Sequence, residues 1–201
     1  LGLGLRMDFQ FVLDQFQLPN EAASSSNAFP NAMGGLFNIS HVAVLEKGFI
    51  ENHFEIVYTS PYLYLNCIGE NNENQDFIVG YYLGDSSDIS YSGYKYGPDS
   101  IVLEIGGNYI TYDEKFDLSY ALMYRIHGEH GIKYSEDQNQ TPVSVAGKAD
   151  MSRDFALTGT LEHTLLANAS VDYKILESLS VFSSVTYQYK INYNNKAGDW
   201  Q

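Results

Sequence analysis

Residues 157–173 read LTGTLEHTLLANASVDY, a stretch in which apolar and polar side chains alternate almost without interruption. Successive side chains of a β-strand point to opposite faces, so the stretch predicts one long strand. Its length exceeds that of most strands in soluble sheets and suits a tilted strand that crosses an outer membrane. The apolar face would hold Leu157, Leu161, Leu165, Ala167, Ala169, Val171 and Tyr173, and the polar face Thr158, Thr160, Glu162, Thr164, Asn168, Ser170 and Asp172.

A second alternating stretch, 179–193, follows a short polar break at 174–178. Two long strands with a tight turn between them predict a hairpin. Transmembrane barrels are apolar outside and polar inside, with aromatic girdles where the wall meets the two membrane surfaces. Tyr173 beside the turn, and Tyr187, Tyr189 and Tyr193 towards the far end, match the positions of such girdles.

Alternation elsewhere predicts six more strands. The fold class that we expect is all-β, an antiparallel transmembrane β-barrel of which this chain supplies about eight strands. A soluble antiparallel sandwich is the alternative, although its strands are usually shorter. The six further strands are one at the start of the chain, 36–45 and 49–66 as a hairpin about Lys47 and Gly48, 77–83, and 101–109 and 116–126 about a turn at 113–115.

The ends of the sequence read as interrupted strands. Arg6 and Asp8 already alternate with Met7 and Phe9, and Gly198–Gln201 opens what reads as another strand. We therefore expect residues 1–201 to be part of a single outer-membrane β-barrel domain, truncated at both ends.

Composition limits the class of partner. Eleven basic and 25 acidic residues give a formal net charge of −14, which argues against nucleic acid because few cations are present to neutralise phosphates. Cys67 is the single cysteine, so the chain has no internal disulfide. No run approaches the roughly 18 apolar residues of a transmembrane helix, so membrane residence would require a barrel.

Four segments resemble, in order, the capsule assembly protein Wzi family of outer-membrane barrels. The likeness extends over about residues 8–131. The segments are DFQFVLDQF at 8–16, PNAMGG at 30–35, VYTSPYLY at 57–64 with GYYLG at 80–84, and YGPDS at 96–100. The positions that carry it are Asp14, Gln15, Phe16, Tyr58, Thr59, Pro61, Tyr64, Gly80, Leu83 and Gly84.

The resemblance implies a non-enzymatic barrel of the bacterial outer membrane that holds capsular or surface polysaccharide and assists capsule assembly. Its implied partners are that polysaccharide and outer-membrane lipid, with no cofactor, and it specifies neither a particular glycan nor an oligomeric state. Aromatic rings stack on sugars, while carboxylates, amides and Arg bond their hydroxyls. The candidate polysaccharide-binding residues are Tyr91, Tyr94, Tyr96, Glu104, Asn108, Arg125 and His127.

Other interpretations stay open for these residues. The loop tyrosines also suit an interfacial girdle, and Glu104 and Arg125 suit a structural ion pair. His127, Glu129 and His130 are metal-ligand types within four residues, but they lie at a loop mouth, and we predict no metal site. A porin-like passive channel or an outer-membrane hydrolase are the alternative functions; no Gly-x-Ser-x-Gly element is present, and we predict no catalytic residues.

Overall fold

The computed structural model describes residues 4–16, 18, 31–61, 63, 65–68, 74–77, 80–82, 89–91, 94–129 and 155–201. Regular structure in these ranges consists of β-strands and one short 3₁₀ turn, Tyr193–Asn195. No helix in the same ranges is long and apolar enough to cross a lipid bilayer. The predicted all-β class is confirmed.

Seven long strands form one antiparallel sheet, in an order that follows the chain. Among the described residues the first and last of these strands do not pair with each other, so the sheet is open rather than closed into a barrel. From one edge to the other, the strands are β1 (Leu5–Gln15), β2 (Ala32–Val44), β3 (Gly48–Thr59), β8 (Ser100–Thr111), β9 (Phe116–His127), β10 (Glu162–Leu176) and β11 (Leu179–Ile191).

An insertion between β3 and β8 corrects two of the predicted strands. The predicted strand 49–66 ends at Thr59: the Ser60 N–H still bonds the Met33 carbonyl of β2, but Pro61 has no N–H to continue a ladder. The insertion instead holds two small hairpins, β4 (Leu65–Ile68) with β5 (Asn74–Phe77), and β6 (Gly80–Tyr82) with β7 (Ile89–Tyr91). The predicted strand 77–83 is therefore wrong, and the main sheet has seven strands rather than eight.

The hairpin of β10 and β11 is confirmed, with Leu165 opposite Tyr189 and Ala169 opposite Val185. The predicted strand 157–173, however, starts only at Glu162 and continues to Leu176. Residues before Glu162 are not extended because Gly159 has a φ of +58°, in the left-handed region. The predicted polar break at 174–178 shrinks to a two-residue turn, 177–178.

Connections at the two ends of the sheet differ in length. At one end, which we call the short-turn end, the turns 45–47, 112–115 and 177–178 join β2 to β3, β8 to β9 and β10 to β11. At the opposite, long-loop end the chain runs through 16–31, 60–99 and 128–161 between strands. Such asymmetry is typical of outer-membrane barrels.

Apolar side chains form continuous rows on one face of the sheet, because residues directly opposite each other in an antiparallel ladder share a face. We call it the apolar face. One row is Phe9, Phe37, Ile56, Leu103, Tyr124, Leu165 and Tyr189, and its neighbour is Met7, Ile39, Phe54, Ile105, Leu122, Ala167 and Tyr187. Phe9 is 74% exposed and Val185 66% exposed.

The opposite face, which we call the polar face, carries most of the hydrogen-bonding side chains. One of its rows is Asp8, Asn38, Glu55, Glu104, Met123, Leu166 and Gln188, and the next is Arg6, Ser40, His53, Gly106, Ala121, Asn168 and Thr186. On this face Glu162 is 4% and Thr164 2% exposed. Burial is thus inverted relative to a sheet in water, which hides its apolar side chains.

Several polar side chains on the apolar face are paired with one another. The Tyr120 hydroxyl donates to Asn52 Oδ1, and the Tyr124 hydroxyl lies 2.7 Å from His163 Nδ1. Gly107 makes room for the first pair, since a Cβ there would lie 2.6 Å from the Tyr120 hydroxyl oxygen. The pairing satisfies hydrogen-bonding groups among the apolar side chains of this face.

Candidate functional site

A short segment of the insertion, residues 94–97, lies across the polar face, and we call it the strap. Beneath it is a small apolar cluster, Val57, Val102 and Met123, against which Tyr94 and Tyr96 pack. The two tyrosine rings meet edge to face with centroids 5.6 Å apart. The strap therefore covers the part of the polar face formed by β3, β8 and β9, in the half of the sheet nearer the long-loop end.

Lys95 fixes the strap to the sheet through an ion pair. Its Nζ lies 3.6 Å from Glu104 Oε2, and it sits 4.8 Å from the centre of the Tyr96 ring. Burial alone would lower the pKa of Lys95, but Glu104, Tyr96 and Glu55 outweigh it and raise that pKa. Lys95 is accordingly a stable cation facing the carboxylates of β3 and β8.

Burial also raises the pKa of the Tyr94 hydroxyl, and the negative charges of Glu55 and Glu104 act in the same direction. Tyr94 therefore stays protonated and keeps a hydroxyl for hydrogen bonding. Its ring forms part of the wall of a cavity on the polar face.

Arg125 continues the network from the strap to β10 and β11. Its guanidinium lies 5.7 Å from the centre of the Tyr96 ring, and its Nη2 donates to Glu162 Oε1 at 3.0 Å. Lys190 Nζ is 3.8 Å from the same carboxylate oxygen. The Asn194 backbone N–H donates to Glu162 Oε2 at 2.9 Å, so this buried carboxylate is bonded at both oxygens.

A second polar cluster joins the long connections at the long-loop end. Asp99, fully buried and with a φ of +57°, accepts from the Thr158 backbone N–H at 3.1 Å and from the Thr158 hydroxyl. Thr59 Oγ1 donates to the Gly97 carbonyl at 2.9 Å. Met33 N donates to Ser60 Oγ at 2.9 Å. The cluster holds the base of the strap against the ends of β3, β8 and β9.

Two adjoining cavities extend from the strap across β1, β2 and β3, and together we call them the groove. Their volumes are about 560 and 420 Å³, and both are lined by Gln10, Leu36 and Glu55. Tyr94 and Lys95 wall the first, whereas Asp8, Asn38, Ser40, Glu51 and His53 line the second. Each volume lies within the range of about 300–1,000 Å³ that small-molecule sites occupy.

The structure brings four of the seven candidate binding residues together: Tyr94, Tyr96, Glu104 and Arg125. Tyr94 lines the groove, while the charged groups of Lys95 and Arg125 lie over the Tyr96 ring. Glu104 and Arg125 each form an ion pair, but with Lys95 and Glu162 rather than with each other. Asn108 lies four residues along β8 towards the short-turn end, opposite Glu51.

His127 ends β9 opposite Ser100 and Glu162, away from the groove. The described residues contain no group of three His, Cys, Asp or Glu side chains arranged to hold a metal ion. Glu129, which lies between His127 and His130 in the sequence, instead accepts a hydrogen bond from the Thr160 backbone N–H at 2.8 Å. His130 lies outside the described residues, as does the side chain of Tyr91.

Some of the residues that carry the family resemblance lie within the sheet, and others lie at its long-loop end. Thr59 and Pro61 are buried at the long-loop end, whereas Tyr58 is on the apolar face and donates to the Phe155 carbonyl at 2.7 Å. Phe16 directly follows β1 and is 56% exposed. Tyr64, Leu83 and Gly84 lie outside the described residues, and for Asp14, Gln15 and Gly80 only the backbone is described.

Sequence reasoning missed the groove and the residues that connect the strap to the sheet. Lys95 could have been proposed from the sequence, since it is a basic residue directly between Tyr94 and Tyr96, two of the candidate binding residues. Glu162 was predicted on the polar face by alternation, but nothing in the sequence pairs it with Arg125 or Lys190. The side of the groove formed by Arg6, Asp8, Glu51 and Glu55 depends on the register of β1, β2 and β3.

Fold and groove together define a class: an all-β protein with one open antiparallel sheet, whose polar face carries a cavity under a loop segment. Comparison with known proteins adds no family to this class. No protein-family model, curated protein or solved structure matches the chain.

Proposed function

We propose that the sheet is part of the wall of an outer-membrane β-barrel, with the apolar face towards lipid and the polar face towards the lumen. The observation that carries the proposal is the inverted burial of the two faces. Each apolar side chain left in water forgoes about 1.5–3 kcal/mol relative to burial, so two exposed rows need an apolar surrounding. Lipid supplies it without a second protein layer.

Aromatic positions on the apolar face agree with this orientation. Tyr173 lies near the short-turn end and is about half exposed. Tyr187 and Tyr189 lie nearer the other end of β11, where Trp200 pairs with Ile191 and is 76% exposed. Tyrosine and tryptophan favour membrane interfaces because one part of the ring system is apolar and the other bonds water.

Within that barrel, we propose that the groove and the strap bind surface polysaccharide and assist capsule assembly without catalysis, as in the Wzi family that the sequence resembles. The groove offers carboxylates, amides, a hydroxyl and an imidazole to sugar hydroxyls, and a tyrosine as an aromatic wall. Its position on the luminal face would hold a glycan that enters from the long-loop end.

The alternative functions have less support. The strap lies over the polar face, which disfavours a wide passive channel. The His53 ring contacts Glu104 and the His163 ring contacts Tyr124, and neither contact is the serine hydroxyl pairing of a serine hydrolase triad.

The barrel is tested by membrane fractionation of cells that make the protein. We expect it in the outer membrane, retained through high-salt washing and released only by detergent. A folded, monodisperse protein in buffer without detergent would contradict the proposal, because the apolar rows would then be stable in water.

The binding function is tested by polysaccharide retention on whole cells. Tyr94→Ala should reduce retention, because the ring walls the groove. Tyr112→Ala is the matched control, since Tyr112 is an exposed tyrosine at the short-turn end, far from the groove along β8. Equal retention by both variants would argue against sugar binding at this site.

A further inference from the structure

Charge is distributed unevenly along the groove. Its walls and the adjacent Glu104 carry four carboxylates, Asp8, Glu51, Glu55 and Glu104. Arg6 pairs with Asp8 at 2.8 Å, and Lys95 pairs with Glu104 at 3.6 Å. His53 Nε2 also lies 3.4 Å from Glu104 Oε1. Among the described residues, no cation forms an ion pair with Glu51 or Glu55.

The register makes this distribution costly for the sheet. Glu55 and Glu104 are directly opposite each other on β3 and β8, an arrangement that is destabilising for like charges. Lys95 of the strap reduces the repulsion by pairing with Glu104, whereas Glu55 lines both cavities and forms no ion pair among the described residues. A ligand that brings hydrogen-bond donors or a cation to Glu55 would relieve the rest.

We infer that the groove takes uncharged or amino-bearing sugars and rejects sugars that carry carboxylates. Carboxylate oxygens accept hydrogen bonds, so Glu51 and Glu55 suit hydroxyl and ammonium donors. A uronate would bring a further negative charge into a cavity lined by Glu51 and Glu55, which form no ion pair among the described residues, and like-charge contacts are a strong basis for discrimination. Asn38, Ser40 and Gln10 accept or donate and favour no charge.

This inference rests on the proposed function, because it names the class of sugar for the same groove. Its test is binding of three oligosaccharides of equal length to the detergent-solubilised protein, measured by calorimetry with EDTA present. The probes are a maltooligosaccharide, a glucosamine oligosaccharide and an oligogalacturonate. We expect the oligogalacturonate to bind at least about tenfold more weakly than the neutral probe, and the glucosamine probe to bind at least as tightly as the neutral one.

The double variant Glu51→Gln with Glu55→Gln should bring the oligogalacturonate to within about threefold of the neutral probe, because both carboxylates become neutral amides. Glu46→Gln with Glu177→Gln changes the net charge equally at two exposed short-turn positions and should leave the discrimination unchanged. Discrimination lost equally in both double variants would assign it to overall charge and overturn the inference.

The outcomes separate the two proposals. Binding of the oligogalacturonate as tightly as the neutral probe would overturn the charge selection while leaving sugar binding intact. Absence of binding by all three probes would remove the sugar-binding function and the inference with it.

Discussion

Lys95 Nζ lies 3.6 Å from Glu104 Oε2, so a residue of the long insertion is paired with a residue near the middle of the sheet. The pair places Tyr94 and Tyr96 over the apolar cluster on an otherwise polar face. It also leaves Glu55, the cross-strand neighbour of Glu104, with no ion-pair partner in the described residues. This contact thus links the strap to the sheet beside the groove and neutralises one of the two opposed carboxylates.

Removing this contact should have a small, measurable effect on stability. A double-mutant cycle with Lys95→Ala and Glu104→Ala should give a coupling of about 0.5–1 kcal/mol in the free energy of urea unfolding, because the lysine side chain is largely exposed and screened. The pair Lys115 and Asp113, 4.0 Å apart and mostly exposed, is the control and should couple more weakly. Equal couplings would mean that the strap is not held by Lys95.

A lysine should be costly on one face of β11 and tolerated on the other. Val185→Lys places a charge on the apolar face at mid-length of the edge strand β11 and should destabilise the protein in lipid by about 2–4 kcal/mol. Ser184→Lys, at the adjacent exposed residue on the polar face, should cost less than about 0.5 kcal/mol. Urea unfolding in liposomes measures both. Equal costs would contradict a lipid-facing surface.

Loss of the Glu162 carboxylate should strongly destabilise the network on the polar face. Glu162→Gln leaves Arg125 and Lys190 together without their shared anion, and removing one member of a buried ion pair costs about 3–5 kcal/mol. Glu177→Gln, in the exposed turn after the same strand, should change the free energy of unfolding by less than about 0.5 kcal/mol.

A second variant checks the cause of that loss. Adding Lys190→Gln to Glu162→Gln removes one of the two uncompensated cations and should recover part of the lost stability. A further loss in the double variant would show that packing, rather than charge, explains the effect of the first substitution.

Acid should weaken the turn between β8 and β9. The Thr111 hydroxyl, which donates to Asp113 at 2.7 Å, and the Lys115 backbone N–H lower the pKa of this carboxyl below its ordinary value. A carboxyl with a lowered pKa in the folded state stabilises the protein above the unfolded pKa of about 3.9, and this contribution disappears as the pH falls through the folded value.

The variant Asp113→Asn tests that contribution. Wild type should be more resistant to urea than the variant at pH 6, and the difference should shrink as the pH is lowered below about 4. Glu46→Gln, at the exposed turn between β2 and β3, should show no comparable trend. A difference that is constant between pH 6 and pH 2 would exclude the Asp113 carboxylate as its source.

Alternation predicted the strands of the main sheet well where the connecting turns are short. The hairpin of β10 and β11 and the two faces of its residues 165–173 follow from period two alone. Prediction failed for the strands 49–66 and 77–83, because Pro61 follows the end of β3 and the described residues beyond it form two small hairpins. Local periodicity does not specify where such an insertion packs.

For the candidate site, Tyr94, Tyr96, Glu104 and Arg125 were found because aromatic and charged residues are chemically conspicuous. The sequence did not identify the residues with which these side chains form ion pairs. Lys95 meets Glu104, and Arg125 meets Glu162, across strands that are remote in sequence. The groove residues on β1, β2 and β3 converge only through the register of those strands, in which a shift of one residue would exchange the two faces.

The sequence by itself determined that this chain is all-β and that each long strand has one apolar and one polar side, because side-chain direction along a strand is a local property of period two. Only the tertiary structure decided that the apolar side is exposed and the polar side covered by the strap. It also decided which carboxylate meets which cation, since those pairings arise between strands and loops that the backbone register brings together.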